Sequence, residues 1–520
     1  MALGKYNLFV DWNNDGDFAD TGEDMSSLLL SVEWERGRDF ASQLTGRSIA
    51  GYFVARIKNL DGLYTPSNAS GSLSGNLKPN RKVMFEWLQT TGFSYSFPFT
   101  FTGGPAWTGF VDSITPAPDV IGNKEMILRA IGPLGMVNAE DVRVGMNTSV
   151  RSDVAFGKVL DAAGWPTDDR ELDTGNTTFG RWWVNLKAGL EALREIEASE
   201  GGFIYETRDG KIVFQERQAR FKAPHTSSTG TWSDASGAAT PYQAITAEDP
   251  LPQIFNVLEA EVRNYTVGSL AVLWTLPEAS GTSNSPSIAG GQTLVFTARF
   301  PNPQSATNAV AVNEWTTPVA TTDVLLNAAA DGTGTNLTSS LSISVDAADK
   351  LGQTMKISVT NDGATDAFVT KLQARGTPIT TSDPVIMSAE DATSITAFGR
   401  QRYPNPAPWI PTTSEAQNWA DFNLGIYKDP LRILTVTLLA HRDDCQDEVF
   451  RADIGDRLTI VANNDTALGI NEDFFIEREM HRIDGHGFHT ATYTLSPASI
   501  LGGFWVLGTS KLGVATRLAY

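Results

Sequence analysis

The sequence is poor in cysteine and in positive charge. A single cysteine, Cys445, among 520 residues excludes a disulfide framework and any site built from several cysteines. Lys and Arg number 40 against 60 Asp and Glu, so the formal net charge is -20. Such a surface repels nucleic acid and disfavours sequence-specific binding to DNA or RNA, yet it is compatible with DNA sliding past without sticking.

Long apolar runs are also missing. The first residues, MALGKYNLFVDW, have no apolar core and cleavage site of the kind found in a secretory signal. The apolar stretch ILGGFWVLG at 500–508 is far shorter than the roughly 20 residues that a membrane-spanning helix needs. We therefore expect a protein that is made in the cytoplasm and stays soluble.

The length and composition predict several globular domains. A chain of 520 residues is too long for one ordinary core, and 41% hydrophobic with 19% charged residues is typical of folded proteins. The patterns predict a mainly β protein with α+β parts. The predicted units are an N-terminal β domain at 1–150, an α+β body at 151–263 plus 384–498, an inserted β-sandwich at 264–383 and a C-terminal tail at 499–520.

The first unit is predicted from short β-rich runs between turn residues. Tyr6–Val10 alternates apolar and other residues, and Tyr52–Ile57, Val83–Leu88 and Glu125–Ile131 are strand-length segments bounded by Gly, Pro or Asn. The inserted sandwich is predicted from a change in composition. Between residues 264 and 345 only five residues are charged, and the remainder alternates Ser, Thr, Gly and Asn with short apolar runs.

The body is predicted from helical spacing next to hairpin signals. Leu186, Leu190, Leu193 and Ile196 lie on one helical face, and Gly201-Gly202 follows as a stop signal. Asp209-Gly210 predicts a two-residue hairpin turn. Ser414-Glu415-Ala416-Gln417 reads as a capping box that opens another helix.

An acidic loop follows the first predicted strand. Residues 11–24, DWNNDGDFADTGED, hold six carboxylates and no basic residue. The first half matches a calcium loop, because alternate oxygens in a tight turn point at one hard cation. The second half departs from it, since Gly22 stands where a bidentate acid is expected. The candidate ligands for a structural Ca²⁺ are Asp11, Asn13, Asp15, Asp17, Glu23 and Asp24. The alternative is a plain Asx-rich turn.

Three histidines near the end raise a second metal question. If Asp484-Gly485-His486-Gly487 forms the turn of a hairpin, His481 and His489 point to opposite faces of it. A metal shared between these two histidines is then disfavoured. The sequence requires no cofactor.

Catalytic motifs do not stand out. The sequence has no H-E-x-x-H, G-x-S-x-G or phosphate-binding glycine loop, and the paired acids Asp443-Asp444 would face opposite ways on a strand. Two carboxylates at distant positions could still form a glycosidase site. Trp274 and Trp315 of the inserted segment could stack on sugar rings, although tryptophans occur more often in cores. We predict a protein that is not an enzyme.

Several segments, taken in order, resemble one protein family. They include FVDWNNDGDF, AGYFVARIKNLDGLYTPSN, LKPNRKVMFEW and WTGFVDSI near the start, and IGDRLTIV with FFIEREMHRIDGHGFHTATYTLSPA near the end. Their order resembles the baseplate hub, or tail-associated minor tail, proteins of long-tailed bacteriophages. The resemblance covers 1–262 and 384–520 in fragments and does not include the inserted segment.

This resemblance implies a hub of β-barrel-like and α+β domains that assembles as a homotrimer around the tail channel. The implied partners are the distal tail ring or tube, the tape measure, and fibres or receptor-binding proteins. The implied location is the tail tip of the virion, where DNA passes without specific binding. Two alternatives stay open: a calcium-stabilised carbohydrate-binding β-sandwich protein, and a cell-wall glycoside hydrolase.

Overall fold

The computed structural model describes residues 5–40, 42, 44–89, 102–118, 124–276, 285–300, 308–405 and 407–498. In the first half, the strands and helices are β1 (Tyr6–Val10), β2 (Leu29–Gly37), β3 (Tyr52–Lys58), β4 (Lys82–Gln89), β5 (Thr102–Pro118), β6 (Lys124–Ile131), α1 (Pro133–Asn138), β7 (Asp141–Arg151), α2 (Ser152–Ala162), β8 (Arg170–Leu172), β9 (Thr178–Ala188), α3 (Gly189–Glu200), β10 (Phe203–Glu206), β11 (Ile212–Gln215), β12 (Thr231–Ser233), β13 (Ala244–Glu248) and β14 (Val257–Val262).

The second half continues with β15 (Tyr265–Val267), β16 (Ala271–Thr275), β17 (Ser287–Ile288), β18 (Thr293–Arg299), β19 (Ala309–Thr316), β20 (Val324–Asn327), β21 (Leu341–Ser344), β22 (Thr354–Asn361), β23 (Ala367–Thr381), β24 (Val385–Glu390), α4 (Ala392–Phe398), β25 (Arg402–Pro404), α5 (Thr413–Tyr427), β26 (Ile433–Leu439), α6 (Asp443–Arg451), β27 (Arg457–Ala462), β28 (Ile470–Ile483) and β29 (His489–Pro497). None of the helices in the described ranges is long and apolar enough to cross a bilayer.

A twelve-stranded sheet joins the two ends of the chain. Its main path runs β1-β4-β5-β6-β3-β2-β28-β29-β26-β13, with β27 on β28 and β12 on β27. β2 and β28 pair antiparallel, with Val32 opposite Ile483 and Gly37 opposite Arg478. The edge strands on this path do not pair with each other, so within the described residues the sheet is open rather than a closed barrel.

Alternation of apolar and polar residues explains the first strands. In β1, Tyr6, Leu8 and Val10 are buried while the residues between them are half-buried, as the period of two requires. These side chains join one core with Trp34, Phe53 and other residues of the first 130, and Ile483 of β28 belongs to the same core. The strands predicted at the N-terminus are therefore confirmed.

The inserted segment forms two sheets around a common core. β15, β16, β17, β19 and β20 all pair with the long strand β23, and β18, β22 and β21 form a separate three-stranded sheet. Val312 from the first sheet and Ile357 from the second lie in one buried cluster. This is the packing of a β-sandwich.

Two helix predictions need correction. Leu186 is not on the helix: it lies in β9, at a bulge between the paired residues Val184 and Lys187, and α3 begins at Gly189. Its φ is positive at 44° and its side chain is 53% exposed. The cap of α5 is Thr412 rather than Ser414, because the Thr412 hydroxyl accepts the backbone N–H of Glu415 at 3.1 Å. Both errors displace a helix start by two or three residues.

The hairpin at Asp209-Gly210 has a longer loop than predicted. Glu206 is the last paired residue of β10 and faces Ile212 of β11, and Thr207 N–H donates to the Lys211 carbonyl at 2.9 Å. The connection therefore closes over three residues instead of two.

The mainly β fold with α+β parts is confirmed. The boundaries 1–150, 151–263 plus 384–498, and 264–383 stay a prediction. Strands of the first unit and of the C-terminal part of the body lie in one sheet, so the sheets do not separate these two units. The predicted tail at 499–520 lies outside the described residues.

Candidate functional site

The acidic loop is organised by two buried carboxylates. Asp11 is 4% exposed and accepts the backbone N–H groups of Asn14, Asp15 and Gly16. Glu23 is 1% exposed and accepts those of Trp12 and Asp20. Charged acceptors of backbone N–H groups fix a turn firmly. These two acids hold the loop together from inside, so they differ in role from the other predicted ligands.

The exposed part of the loop brings together a different set. Carboxylate oxygens of Asp15, Asp17 and Asp20 lie within 4.8 Å of one another, and all three residues are exposed. The Asn13 side-chain amide donates to Asp15 at 3.0 Å and to Asp20 at 2.5 Å, and Asp24 accepts the Ser26 N–H at 2.9 Å. Asp20 was not among the predicted ligands, although its position in the same acidic run could have identified it as a candidate.

The prediction that His481 and His489 point to opposite faces of their hairpin is wrong. The hairpin loop spans Asp484 to Phe488, one residue more than predicted, and Ile483 faces His489 across the strands. The Asp484 carboxylate accepts the N–H groups of His486 and Phe488, which stabilises the longer loop. One extra loop residue reverses the face of the returning strand, so His481 and His489 lie on the same face.

The two histidines form a buried chain of hydrogen-bonding groups. His489 Nε2 lies 3.0 Å from His481 Nδ1, and the Tyr6 hydroxyl lies 2.9 Å from His489 Nδ1. His481 Nε2 is 3.6 Å from a carboxylate oxygen of Glu479. His481 is 1% exposed and His489 is fully buried. The Trp34 ring stacks on His481 with centroids 4.4 Å apart. These contacts between side chains therefore connect β1 and β2 with β28 and β29.

Protonation of these histidines is disfavoured. Burial lowers the pKa of His481, although the neighbouring Glu479 opposes that shift. Burial, with the charges of His481 and His441, holds the pKa of His489 well below its usual range. The 3.0 Å and 2.9 Å hydrogen bonds can both form with neutral rings, if His489 Nε2 donates to His481 Nδ1 and the Tyr6 hydroxyl donates to His489 Nδ1. His481 Nε2 makes no hydrogen bond among the described residues.

Glu479 sits in an ionic network at the junction of β2 and β28. Arg36 donates to its Oε1 at 2.9 Å and to Asp453 Oδ1 at 2.6 Å, while Arg208 Nη2 lies 3.2 Å from its Oε2. Burial alone would raise the pKa of Glu479, but the charges of Arg36 and Arg208 outweigh it and hold the pKa well below the usual range. A buried carboxylate is thus kept ionised by two guanidinium groups.

The tryptophans considered for sugar binding lie in the sandwich core. Trp315 is 3% exposed and its indole N–H donates to the Leu351 carbonyl at 2.7 Å. Trp274 is half-buried and packs against the same core. These two rings do not form an exposed stacking platform.

Comparisons with solved structures find tail proteins of similar fold. No family model and no curated protein matches the chain. Among solved structures, the tail protein from Neisseria meningitidis MC58 is similar with a TM-score of 0.50 and 11% identity, covering 95% of this chain and 98% of that one. The prophage MuSo2 43 kDa tail protein from Shewanella oneidensis has a TM-score of 0.48 and 9% identity, with 95% and 99% covered.

A prophage tail protein from Listeria monocytogenes EGD-e has a TM-score of 0.38 and 8% identity, with 96% of each chain covered. At these identities the likeness concerns the fold, and the Neisseria protein carries it. The fold of the chain is accordingly similar to that of a tail protein, and the resemblance drawn from the sequence is confirmed at the level of the fold.

Proposed function

We propose that this chain is a structural protein of a phage tail and serves as a hub at the tail tip. The observation that supports the proposal is the fold similarity to a tail protein, which extends over 95% of this chain. A hub would join the tail tube or distal ring to fibres or receptor-binding proteins. In this proposal the protein is a homotrimer and has no enzymatic activity.

Charge also supports this role. With a net charge of -20, a ring of such chains would expose few sites that hold a phosphate backbone. DNA could then leave through the ring without binding to it. Location in the virion follows from the same proposal.

The first test is immunogold labelling of phage particles released from cells that encode the chain, with antibody raised against the purified protein. Label at the tip of the tail would support the hub role. Label along the tail tube, or on the head alone, would refute it.

The second test measures the mass of the purified protein in solution by light scattering. Three times the chain mass of 56.2 kDa supports the trimer. A monomer that labels at the tail tip would leave the location intact and show that the ring forms only on the tail.

A further inference from the structure

An arginine-rich cleft of about 440 Å³ lies between the segment after β2, α3 and α5. Arg38, Arg47, Arg194 and Arg217 contribute to its lining, and Tyr403, Trp419 and Phe422 add aromatic surface. We call this the arginine cleft. In a chain with a net charge of -20, such a concentration of guanidinium groups requires an explanation.

Three hydrogen-bond donors in the arginine cleft have no acceptor among the described residues. Arg194 Nε is buried without a partner, while its Nη2 donates to the Ser48 carbonyl. Asn405 is 8% exposed, and its side-chain Nδ2 is buried without a partner although its Oδ1 accepts the Ala407 N–H at 2.9 Å. The exposed Arg47 side chain makes no hydrogen bond or ion pair in the described parts of the chain. The two buried donors, on Arg194 and Asn405, are costly when left unsatisfied, whereas the exposed Arg47 can be hydrated.

The acids around the cleft pair with neither Arg47 nor Arg194 among the described residues. Arg217 is already paired, with Glu200 and Glu415. Glu197 pairs with Arg38, and Glu195 pairs with Lys187. Glu191 is exposed at the rim. Burial lowers the pKa of Arg194, and the charges of Arg47 and Arg38 act in the same direction against the opposing effect of Glu197. An anion in the cleft would stabilise the charged form of Arg194.

The same chain carries a segment of matching chemistry. The acidic loop at 11–24 has six carboxylates and no basic residue, and its exposed Asp15, Asp17 and Asp20 form no ion pair within the described residues. Phe18 lies among these acids and is half-buried, with its ring 5.9 Å from that of Phe9. Carboxylates beside an aromatic ring complement guanidinium groups beside aromatic rings.

We propose that the arginine cleft binds the acidic loop of a second copy of this chain. The contact joins two different surfaces, so it is heterologous, and repetition of it generates a closed ring if the rotation between copies closes. The proposal rests on the assembly of several copies given under the proposed function. It adds which surfaces meet and which residues carry the contact.

The direct test uses a fluorescein-labelled synthetic peptide with the sequence of residues 11–24, titrated with the full chain and followed by anisotropy. Excess chelator keeps the peptide carboxylates free of cations. We expect saturable binding that salt weakens, because the attraction is electrostatic. A peptide with Asn in place of Asp15, Asp17 and Asp20 should bind about tenfold or more weakly.

Matched variants locate the binding. Arg47→Glu should weaken peptide binding by about tenfold, whereas Arg299→Glu, the same charge change at an exposed position of the inserted sandwich, should leave it unchanged. Equal losses in the two variants would show that net charge alone governs binding and would overturn the proposal. Equal binding of the Asn peptide, or of an unrelated acidic peptide of the same charge, would also overturn it. Displacement of the peptide by millimolar inorganic phosphate would instead indicate a phosphate site.

A charge exchange tests the contact in the full chain. R47E and D17K should each lower the mass measured by sedimentation, because each removes one side of the contact. The double variant R47E/D17K should recover the mass, because every contact in a ring of such chains again joins opposite charges. Failure to recover would refute this contact, whereas a tail-tip label would still support the hub role independently.

Discussion

The buried histidine chain predicts that acid weakens the junction between the two ends of the protein. In the unfolded chain each histidine titrates near its ordinary value of about 6.5. In the folded chain the pKa values of His481 and His489 lie below that value. The unfolded state therefore binds more protons below neutrality, and the free energy of unfolding falls as the pH drops through 6.5.

The magnitude follows from proton linkage. Between pH 7.5 and pH 5.5, a histidine that stays neutral when folded loses about 1.4 kcal/mol of its stabilising contribution, so the pair loses roughly 3 kcal/mol. Other groups titrate over the same range. Burial lowers the pKa of His225 as well, and burial raises that of Glu206 to about 7, which acts in the opposite direction. The test therefore compares the pH dependence of the free energy of unfolding between variants and the wild type, instead of interpreting the total pH dependence of the wild type alone.

The variant is His489→Phe, assayed by urea unfolding with tryptophan fluorescence at several pH values. The phenyl ring fills the site but does not titrate, so the loss of stability between pH 7.5 and pH 5.5 should be smaller than in the wild type by about 1.4 kcal/mol. The lost bond from the Tyr6 hydroxyl adds a constant offset. His486→Asn, in the exposed hairpin loop, is the control and should keep the wild-type dependence. An unchanged pH dependence in His489→Phe would refute the assignment.

Three further outcomes are expected. Glu206→Gln should lower the free energy of unfolding by about 1–3 kcal/mol, because an amide NH₂ would face one of the backbone N–H groups of Gly51 and Leu134 that the carboxylate accepts. Its pH dependence should change as well: the raised pKa of about 7 gives the wild type a contribution that is full below its ordinary pKa and lost as the pH rises through 7. Urea titrations at pH 5 and pH 8 measure both effects, and equal differences at the two pH values would contradict the second. Gly37→Ala should destabilise by several kcal/mol or prevent folding, since Gly37 has a φ of 116° and a Cβ there would lie 2.3 Å from the Glu477 carbonyl oxygen. Yield and melting temperature test this, with Gly75→Ala, also at positive φ but with open space around it, as the control for the backbone effect alone. If calcium binds Asp15, Asp17 and Asp20, then calcium should raise the melting temperature, chelator should reverse the rise, and Asp17→Asn but not the exposed Asp168→Asn should abolish it. No shift with calcium would leave the loop as an Asx-rich turn.

Local patterns were sufficient for the parts of the fold that depend on neighbours in sequence. The alternation in β1 predicted its bounds at Tyr6 and Val10, and the low charge of the inserted segment predicted a separate sandwich. Turn length was harder, because one residue at Phe488 decides which face His489 occupies. Asp484 was a local signal for the longer loop, because its carboxylate accepts the N–H groups of His486 and Phe488. From the sequence, however, several loop lengths fit these residues equally well.

The site was less predictable than the fold because its residues lie far apart in the sequence. Arg36 and Glu479 bond to each other across 443 positions, and nothing near either residue identifies its partner. The acidic loop shows the opposite case. Its residues are adjacent in sequence, so the cluster was predicted, but which acids turn inward and which stay exposed depends on the backbone path around Asp11 and Glu23.

The pairing of β2 with β28 also constrains how the protein is made. β2 leaves the ribosome more than 400 residues before its partner strand. Until β28 arrives, one hydrogen-bonding edge of β2 and the face of Trp34 that stacks on His481 have no cover. Arg36 likewise lacks its partner Glu479. Contacts between such distant segments form late and slowly, which exposes nascent chains to aggregation. We therefore expect fragments that end within the inserted sandwich to need a chaperone to remain in solution. We expect the docking of β28 and β29 to be the last step in the formation of this sheet.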